Sequence, residues 1–436
     1  MPPRALTPLR NRSLRLLLAG QVASNVGDAC YAVALPWYVL AAHGGTTLLG
    51  VVLVAYVLPR TCLILAGGWA SDRWGSRSVM MVTDLARVVG AAALAAVATS
   101  GPAHAALLIP IAVVLGAGEG LFLPASNSVI PSLVPSEDLQ AANGLVSSGT
   151  QLALLAGPAL GGVLVALGGP SFAFALDAAS FAVSAATLAR LRAGQQVAPS
   201  AGDPAEDAED APSMSTFALF RSQRVLQVTV LLTIVLNLGS DGVTGVALPA
   251  LAHGPLHSGA GGYGLILAAV GAGALLGAVG AGQVRQPRRP AVVATIAFQI
   301  AYACILITPF LGNAVGVATA MAVNGLMVGF GNVLCFAALQ RSTPPALLGR
   351  VTGLVLTGVY GVAPLSVALA AIFTRDLGNA SFFLFAGIAG TAAIAYGLSQ
   401  KPWREFGTHQ LMDPDPISNP MGDNPASVQG AAVNPQ

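Results

Sequence analysis

SNVGDACYAVALPWYVL, residues 24–40, is apolar enough for the interior of a lipid bilayer, yet an aspartate, Asp28, stands near its start. Arg15 is the last charged residue before Asp28, and no Asp, Glu, Lys or Arg follows until Arg60. A second stretch repeats the pattern. In SDGVTGVALPALAH, 240–253, Asp241 precedes Ala247-Leu248-Pro249 as Asp28 precedes Ala34-Leu35-Pro36, with the same offset at every position. Gly50 and Gly68 match Gly264 and Gly282 in the same way, and Gly116, Gly120 and Pro135 match Gly325, Gly329 and Pro344 at nearly that offset. One shared motif could be accident in so alanine-rich a chain, but ordered matches on successive helix pairs argue for two parallel copies of one unit.

Composition supplies the solvent for these units. The chain has 436 residues, 55% of them hydrophobic and 9% charged, where a soluble protein has about a quarter charged. One core could not hide that much apolar surface, so a bilayer is expected around it, crossed by helices of about 20 residues. The net charge of +2 gives no reason to expect a nucleic-acid partner. Cys30, Cys62, Cys304 and Cys335 fall in apolar runs without CxxC spacing and are expected to be free, buried thiols. The histidines lie in loops or the tail, and Pro255 interrupts the ligand-like spacing of His253 and His257, so neither a metal nor a cofactor is expected. No glycine-rich phosphate loop with a lysine is present, which argues against ATP as the energy source and against an enzyme.

The expected fold is all-α, with twelve transmembrane helices in two pseudo-symmetric six-helix halves. Spans 1 to 6 are placed near 13–41, 46–71, 78–99, 103–129, 139–168 and 170–191, and spans 7 to 12 near 222–252, 259–284, 290–310, 313–340, 346–374 and 379–399. The first run is too long for a signal-peptide core and lacks a cleavage pattern, so it reads as a retained span. The domain boundaries follow: a first half at 1–192, a linker at 193–217, a second half at 218–399 and a tail at 400–436. The linker holds VAPSAGDPAEDAEDAPS, 197–213, too polar to bury anything and expected to be disordered, like the tail. All basic residues except Arg60, Arg87 and Arg375 lie in the N-terminus, the even-numbered connections or the tail. By the positive-inside rule both termini are expected in the cytoplasm, in a multi-pass protein of the inner (plasma) membrane.

GGWASDRWGSR, 67–77, closes span 2. It resembles the signature of the major facilitator superfamily, G-x-L-A-D-R-x-G-R-R, through Gly68, Asp72, Arg73, Gly75 and Arg77; Ala70 and Ser76 depart from it. GPALGG, 157–162, is similar to the span-5 motif of the drug-exporting branches through Gly157, Pro158, Gly161 and Gly162. FLPASNSVIPSLVPSEDLQAANGL, 122–145, and FALDAASF, 174–181, resemble macrolide-efflux and enterobactin-exporter-like members. The resemblance implies the major facilitator fold, with spans 1, 4, 7 and 10 around a central cavity. It also implies a latch in which Asp72 docks near the start of span 11. The alternative for the 67–77 loop is a topogenic basic turn with solvated charges; the latch is favoured because two arginines alone would satisfy the positive-inside rule. The span-5 motif puts a proline kink and a small-residue face in one helix, which serves close packing; a bend biasing the protein towards export is what the resemblance adds.

A charge at the bilayer centre costs about 2.5–3.5 kcal/mol on insertion scales, so such residues face protein or water. Asp28, Glu119 and Asp241 fall near the middle of spans 1, 4 and 7, and Arg60 near the middle of span 2, within reach of Asp28. These four are the candidates for proton coupling or substrate contact, the alternative being static ion pairs that fix helix register. Asp84 and Arg87 are expected to pair across one helical turn, and Asp177 to be structural on a peripheral helix. Many proton antiporters of the superfamily carry an arginine in span 4; Glu119 stands there instead. Trp37, Tyr38, Phe122 and Phe336 are candidate apolar walls. The expected function is secondary transport, by alternating access, of a small amphipathic molecule such as a drug, siderophore or secondary metabolite. Export driven by protons is favoured, and a monomer in lipid is expected. An importer, an uncoupled facilitator, or a non-transporting sensor or scaffold on the same fold are the alternatives.

Overall fold

A computed structural model describes residues 8–191, 220–221, 223–284, 287–343 and 345–407. The linker at 193–217 and residues 408–436 of the tail lie outside the described residues. Among these residues ten helices are long and apolar enough to cross a membrane. One of them, Leu139–Ala189, runs for 51 residues, which at 1.5 Å per residue is enough for two crossings. It breaks at Gly169, where φ is 76°, just before Pro170. A side chain is strained at that φ and proline cannot continue the hydrogen-bond ladder, so the pair separates spans 5 and 6 where the sequence divides them. Arg12–Ala41 is span 1, made less apolar than its neighbours by Gln21, Ser24, Asn25 and Asp28. The twelve expected spans are thereby accounted for.

The others follow their expected positions. Spans 2, 3 and 4 are Gly45–Trp74, Ser76–Thr99 and Ala105–Val129. Spans 7 to 10 are Arg224–His253, Gly259–Gln283, Pro290–Phe310 and Ala314–Ser342. Span 11 is two helices, Pro345–Gly361 and Ala363–Leu377, and span 12 is Ser381–Ser399. The twin prolines of the repeat act differently. Pro36 sits inside an unbroken helix, whereas a π-helical turn, Val243–Ala247, precedes Pro249 in span 7. The wider turn accommodates the carbonyl that the proline ring would otherwise strike.

The internal repeat is visible in how helices touch. A Cβ on Gly116 or Gly120 of span 4 would collide with the carbonyls of Tyr56 and Arg60 on span 2. Gly325 and Gly329 of span 10 press in the same way on Val270 and Ala274 of span 8. Small residues let backbones approach closely where lipid offers no hydrophobic drive for association.

The bundle is closed at one end. The end bearing Arg73, Arg77, Arg190, Arg224 and Arg341 is called here the basic end. Away from it, Gly50 of span 2 packs on Ala371 of span 11, and Gly162 of span 5 on Ala260 and Gly264 of span 8. The Trp37 ring meets His253 at 5.1 Å between centroids. One apolar cluster joins both halves there, while the basic end has two separate clusters, one in each half. Gly68, Gly280 and Gly282 near the basic end have open space beside them. Leu58, Val82, Val89, Leu167, Leu276 and Ile388 stand exposed on the outside of the bundle, as lipid-facing side chains would.

Candidate functional site

Two glycines on span 4 organise the polar centre of the first half. By drawing span 2 close, Gly116 and Gly120 bring Tyr56 and Arg60, one helical turn apart, against Glu119. Arg60 Nε lies 3.1 Å from Glu119 Oε1, and the Tyr56 hydroxyl donates to Glu119 Oε2. The Arg60 guanidinium also lies 5.6 Å from the ring of Tyr360 on span 11, and the Thr61 hydroxyl donates to the Tyr360 carbonyl at 3.2 Å. The site thus reaches the boundary between the halves.

The expected pairing of Arg60 with Asp28 is corrected. Arg87 takes that place: its NH2 donates to Asp28 Oδ1 at 2.5 Å. The stem of Arg87 passes over Gly118 of span 4, where a side chain would block it, and its guanidinium stacks on Phe181 at 3.8 Å from the centroid. The expected pairing of Arg87 with Asp84 becomes the looser one, at 4.0 Å. Helix spacing set Asp84 within reach, but the guanidinium lies at the end of a long flexible chain and turns to span 1.

Asp177 was placed by sequence on the periphery, and the structure buries it in this cluster, 1% exposed. Its neighbours on span 6 supply the signal that sequence reading missed. Asp177, Ser180, Ser184 and Thr187 recur at helical spacing and are all buried. A polar stripe on a membrane helix must face protein. It meets Gly20 and Gly27 of span 1, whose missing side chains leave room for Thr187, Ser184, Ser180 and Asp177. Asp28, Tyr31, Tyr56, Arg87, Leu115, Asp177 and Phe181 together bound a small nook.

The second half is built otherwise. Asp241 stands in the middle of span 7, just ahead of the π-helical turn, and has no ion pair among the described residues. Next to it, the Ser366 hydroxyl accepts from the Gly242 amide at 2.7 Å and donates to the Leu238 carbonyl at 2.5 Å. A cavity of about 690 Å³ runs from Ser240 to Gln340 and Trp403 at the basic end, between spans 7, 9, 10, 11 and 12. Asn237, Asn324, Asn332 and Gln340 supply amides among apolar walls, and none of its lining side chains is charged. Of the aromatic candidates only Phe336 lines it. Tyr38 is buried, Phe122 packs near Arg87, and Trp37 packs on His253. The four cysteines are free; Cys30 and Cys304 are buried as expected, while Cys335 is partly buried and Cys62 exposed.

The two motifs have distinct placements. Gly75, at φ 81°, ends span 2 and starts span 3. Arg77 donates to the Leu188 and Ala189 carbonyls at 2.9 and 3.0 Å, a cation closing the end of span 6 where unpaired carbonyls gather. Arg73 lies over Trp69 at 5.9 Å. Asp72 is exposed and has no hydrogen bond or ion pair among the described residues. In the span-5 motif Gly157 and Gly161 press on Ala29 and Cys30 of span 1, while Gly162, one residue on, faces span 8. Span 5 therefore packs on span 1 of its own half and touches the other half at span 8.

Comparison with known proteins follows the same lines. Residues 17–368 match the family model of the Major Facilitator Superfamily. The multidrug efflux pump Tap of Mycobacterium tuberculosis (strain ATCC 25618 / H37Rv) is 28% identical over 379 residues, covering 85% of this chain and 88% of that protein. The enterobactin exporter EntS of Citrobacter koseri is 27% identical over 303 residues, 67% of this chain and 68% of that one. Among solved structures, a POT family transporter in complex with a thioalcohol-conjugated peptide superposes with a TM-score of 0.70 at 14% identity, covering 90% and 96% of the two chains. A D-xylose–proton symporter gives 0.66 at 14% identity, covering 88% and 95%. At such identities these structures speak for the fold.

Proposed function

The chain belongs to the Major Facilitator Superfamily, and on that premise we propose that it exports a small amphipathic molecule in exchange for protons. The observation that carries this reading is the pair of ion pairs, Asp28 with Arg87 and Arg60 with Glu119, set near the middle of spans 1 to 4. Because Arg60 and Thr61 touch Tyr360 of the other half, rocking of the halves would disturb the Arg60–Glu119 pair. A carboxylate whose cation moves away in low dielectric takes up a proton, which links conformation to protonation.

The cavity supports the choice of substrate. Its volume lies within the 300–1,000 Å³ typical of small-molecule sites, and its apolar walls with scattered amides suit an amphipathic, drug-sized molecule. The basic end is cytoplasmic by the positive-inside rule, so the cavity opens to the cytoplasm of a monomer in the inner membrane. Asp72 then belongs to a released latch, free to dock when that end closes. The GPALGG motif, placed against both spans 1 and 8, is where a bend could bias the cycle towards export. The similar proteins named as a multidrug efflux pump and an enterobactin exporter favour export over import.

Everted membrane vesicles test the proposal. With an acidic lumen, wild-type vesicles are expected to accumulate ethidium and to lose it when a protonophore is added. Asp28→Asn is expected to elute as a folded monomer and to equilibrate ethidium, but to accumulate none. Accumulation at the wild-type rate by Asp28→Asn, or accumulation indifferent to the protonophore, would sink the reading.

A further inference from the structure

We propose that Asp177 is the residue that holds the exchanged proton in this conformation, an inference that rests on the proton-exchange reading above. Its Oδ1 is buried and finds no hydrogen-bond partner among the described residues. The side chain bounds the small nook shared with Asp28, Tyr31, Tyr56, Arg87, Leu115 and Phe181. Four carboxyls and two guanidinium groups make up the first-half cluster. Arg60 serves Glu119; Arg87 serves Asp28, with Asp84 in looser reach. Asp177 has no ion pair among the described residues, although Arg87 bounds the same nook, whereas Asp84, also buried and with both carboxyl oxygens unpartnered, keeps Arg87 at 4.0 Å.

Around Asp177, span 1 offers Asp28, Cys30 and Tyr31; span 2, Tyr56; span 3, Arg87; span 4, Glu119; and its own span, Ser180, whose hydroxyl donates to the Asp177 backbone carbonyl. The cations are engaged elsewhere, and the other groups are neutral or acidic. A bare carboxylate in such a place is far costlier than a neutral acid. The proton is therefore part of the resting structure.

Exchange follows when Arg87 serves the two aspartates in turn. As its guanidinium leaves Asp28 for Asp177, the Asp177 O–H bond breaks and the proton passes across the shared nook to form an O–H bond on Asp28, now without its cation. Asp28, half-buried, is the carboxyl that exchanges that proton with water. Two carboxyls, one guanidinium and one proton are present before and after.

Two readouts on the full chain test this. In proteoliposomes at neutral pH the infrared carbonyl stretch of a protonated carboxyl is expected in wild type, lost in Asp177→Asn and retained in Asp84→Asn. Asn is isosteric with the neutral acid, so Asp177→Asn is expected to fold and to equilibrate ethidium, while its proton-driven accumulation falls at least tenfold. A band absent from wild type or unchanged in Asp177→Asn overturns the proposal, as does accumulation by that variant at the wild-type rate. If wild type shows the band but moves ethidium without regard to protons, the exchange reading fails first. Asp177 is then a static neutral acid and the proposal falls with it.

Discussion

The two halves share a backbone plan and differ in what they bury at matching positions. Gly120 faces the Arg60 carbonyl as Gly329 faces that of Ala274, and Gly116 faces Tyr56 as Gly325 faces Val270. Moving from first half to second in this register, tyrosine becomes valine and arginine becomes alanine, while Val328 stands where the first half has Glu119. Deleting the ion pair leaves space, and Val328 lines the neutral cavity. The repeat thus conserves the helix contacts and divides the polar work. The mid-span ion pairs lie in the first half, and the cavity of about 690 Å³, whose lining is uncharged, lies in the second, where Asp241 stands outside that lining.

The shared contacts are the first thing to break. Leucine at Gly120 or at Gly329 must push span 2 from 4 or span 8 from 10, because the obstacle in each case is backbone. Overpacking costs about 1–3 kcal/mol and occasionally more, and a rigid carbonyl puts both sites at the upper end. Gly120→Leu and Gly329→Leu are expected to lower the melting temperature in detergent alike, with loss of monodisperse protein. A large loss at one site and none at the other would show that the halves are not packed as repeats.

A smaller effect is expected from writing the first half's chemistry into the second. Val328→Glu places an acid at mid-membrane depth with no cation beside it, at a cost of up to about 3 kcal/mol on insertion scales. The cost is reduced if cavity water reaches it. Ala274→Arg supplies the partner that Arg60 provides to Glu119. The double variant is expected to recover about 1–2 kcal/mol relative to the sum of the single changes, within the range of coupling between contacting residues. Additivity in this double-mutant cycle would mean that positions 274 and 328 do not face each other as 60 and 119 do.

How much of this was legible beforehand depends on chain length and on periodicity. The spans were readable because twenty apolar residues leave few alternatives in lipid, and the repeat because glycines that touch backbone tolerate no drift. Asp28, Arg60 and Glu119 were found as charges out of place, and they do gather in one region. Their partners were not readable. Whether Arg60 meets Asp28 or Glu119 is decided by helix rotation, and Arg87 reaches span 1 only because Gly118 lets its stem pass. Helix number alone puts Asp177 on the periphery; the buried Ser180, Ser184, Thr187 stripe on the same face is the signal that turns it inward. The neutral cavity had no sequence signal at all, since Asn, Thr and Phe in apolar helices are as common in packing as in binding.

The smallest expected effects separate the two kinds of polar work most cleanly. Phe336 lines the cavity and is half exposed, so Phe336→Ala leaves the packed core alone and removes one apolar wall. Stability is expected to change by no more than about 0.5 kcal/mol, as for other exposed substitutions. Ethidium affinity in detergent is expected to fall about fivefold, by about 1 kcal/mol, with the number of protons moved per ethidium unchanged. Tyr56→Phe is the complement. It keeps the ring against Tyr31 and removes the hydroxyl that Glu119 accepts from. Ethidium affinity is expected to stay within twofold of wild type, while the pH dependence of accumulation shifts. If Phe336→Ala moves the pH profile and Tyr56→Phe moves the affinity, binding and coupling are not divided between the halves, and the contrast drawn from Val328 and Glu119 is one of residues without consequence for the cycle.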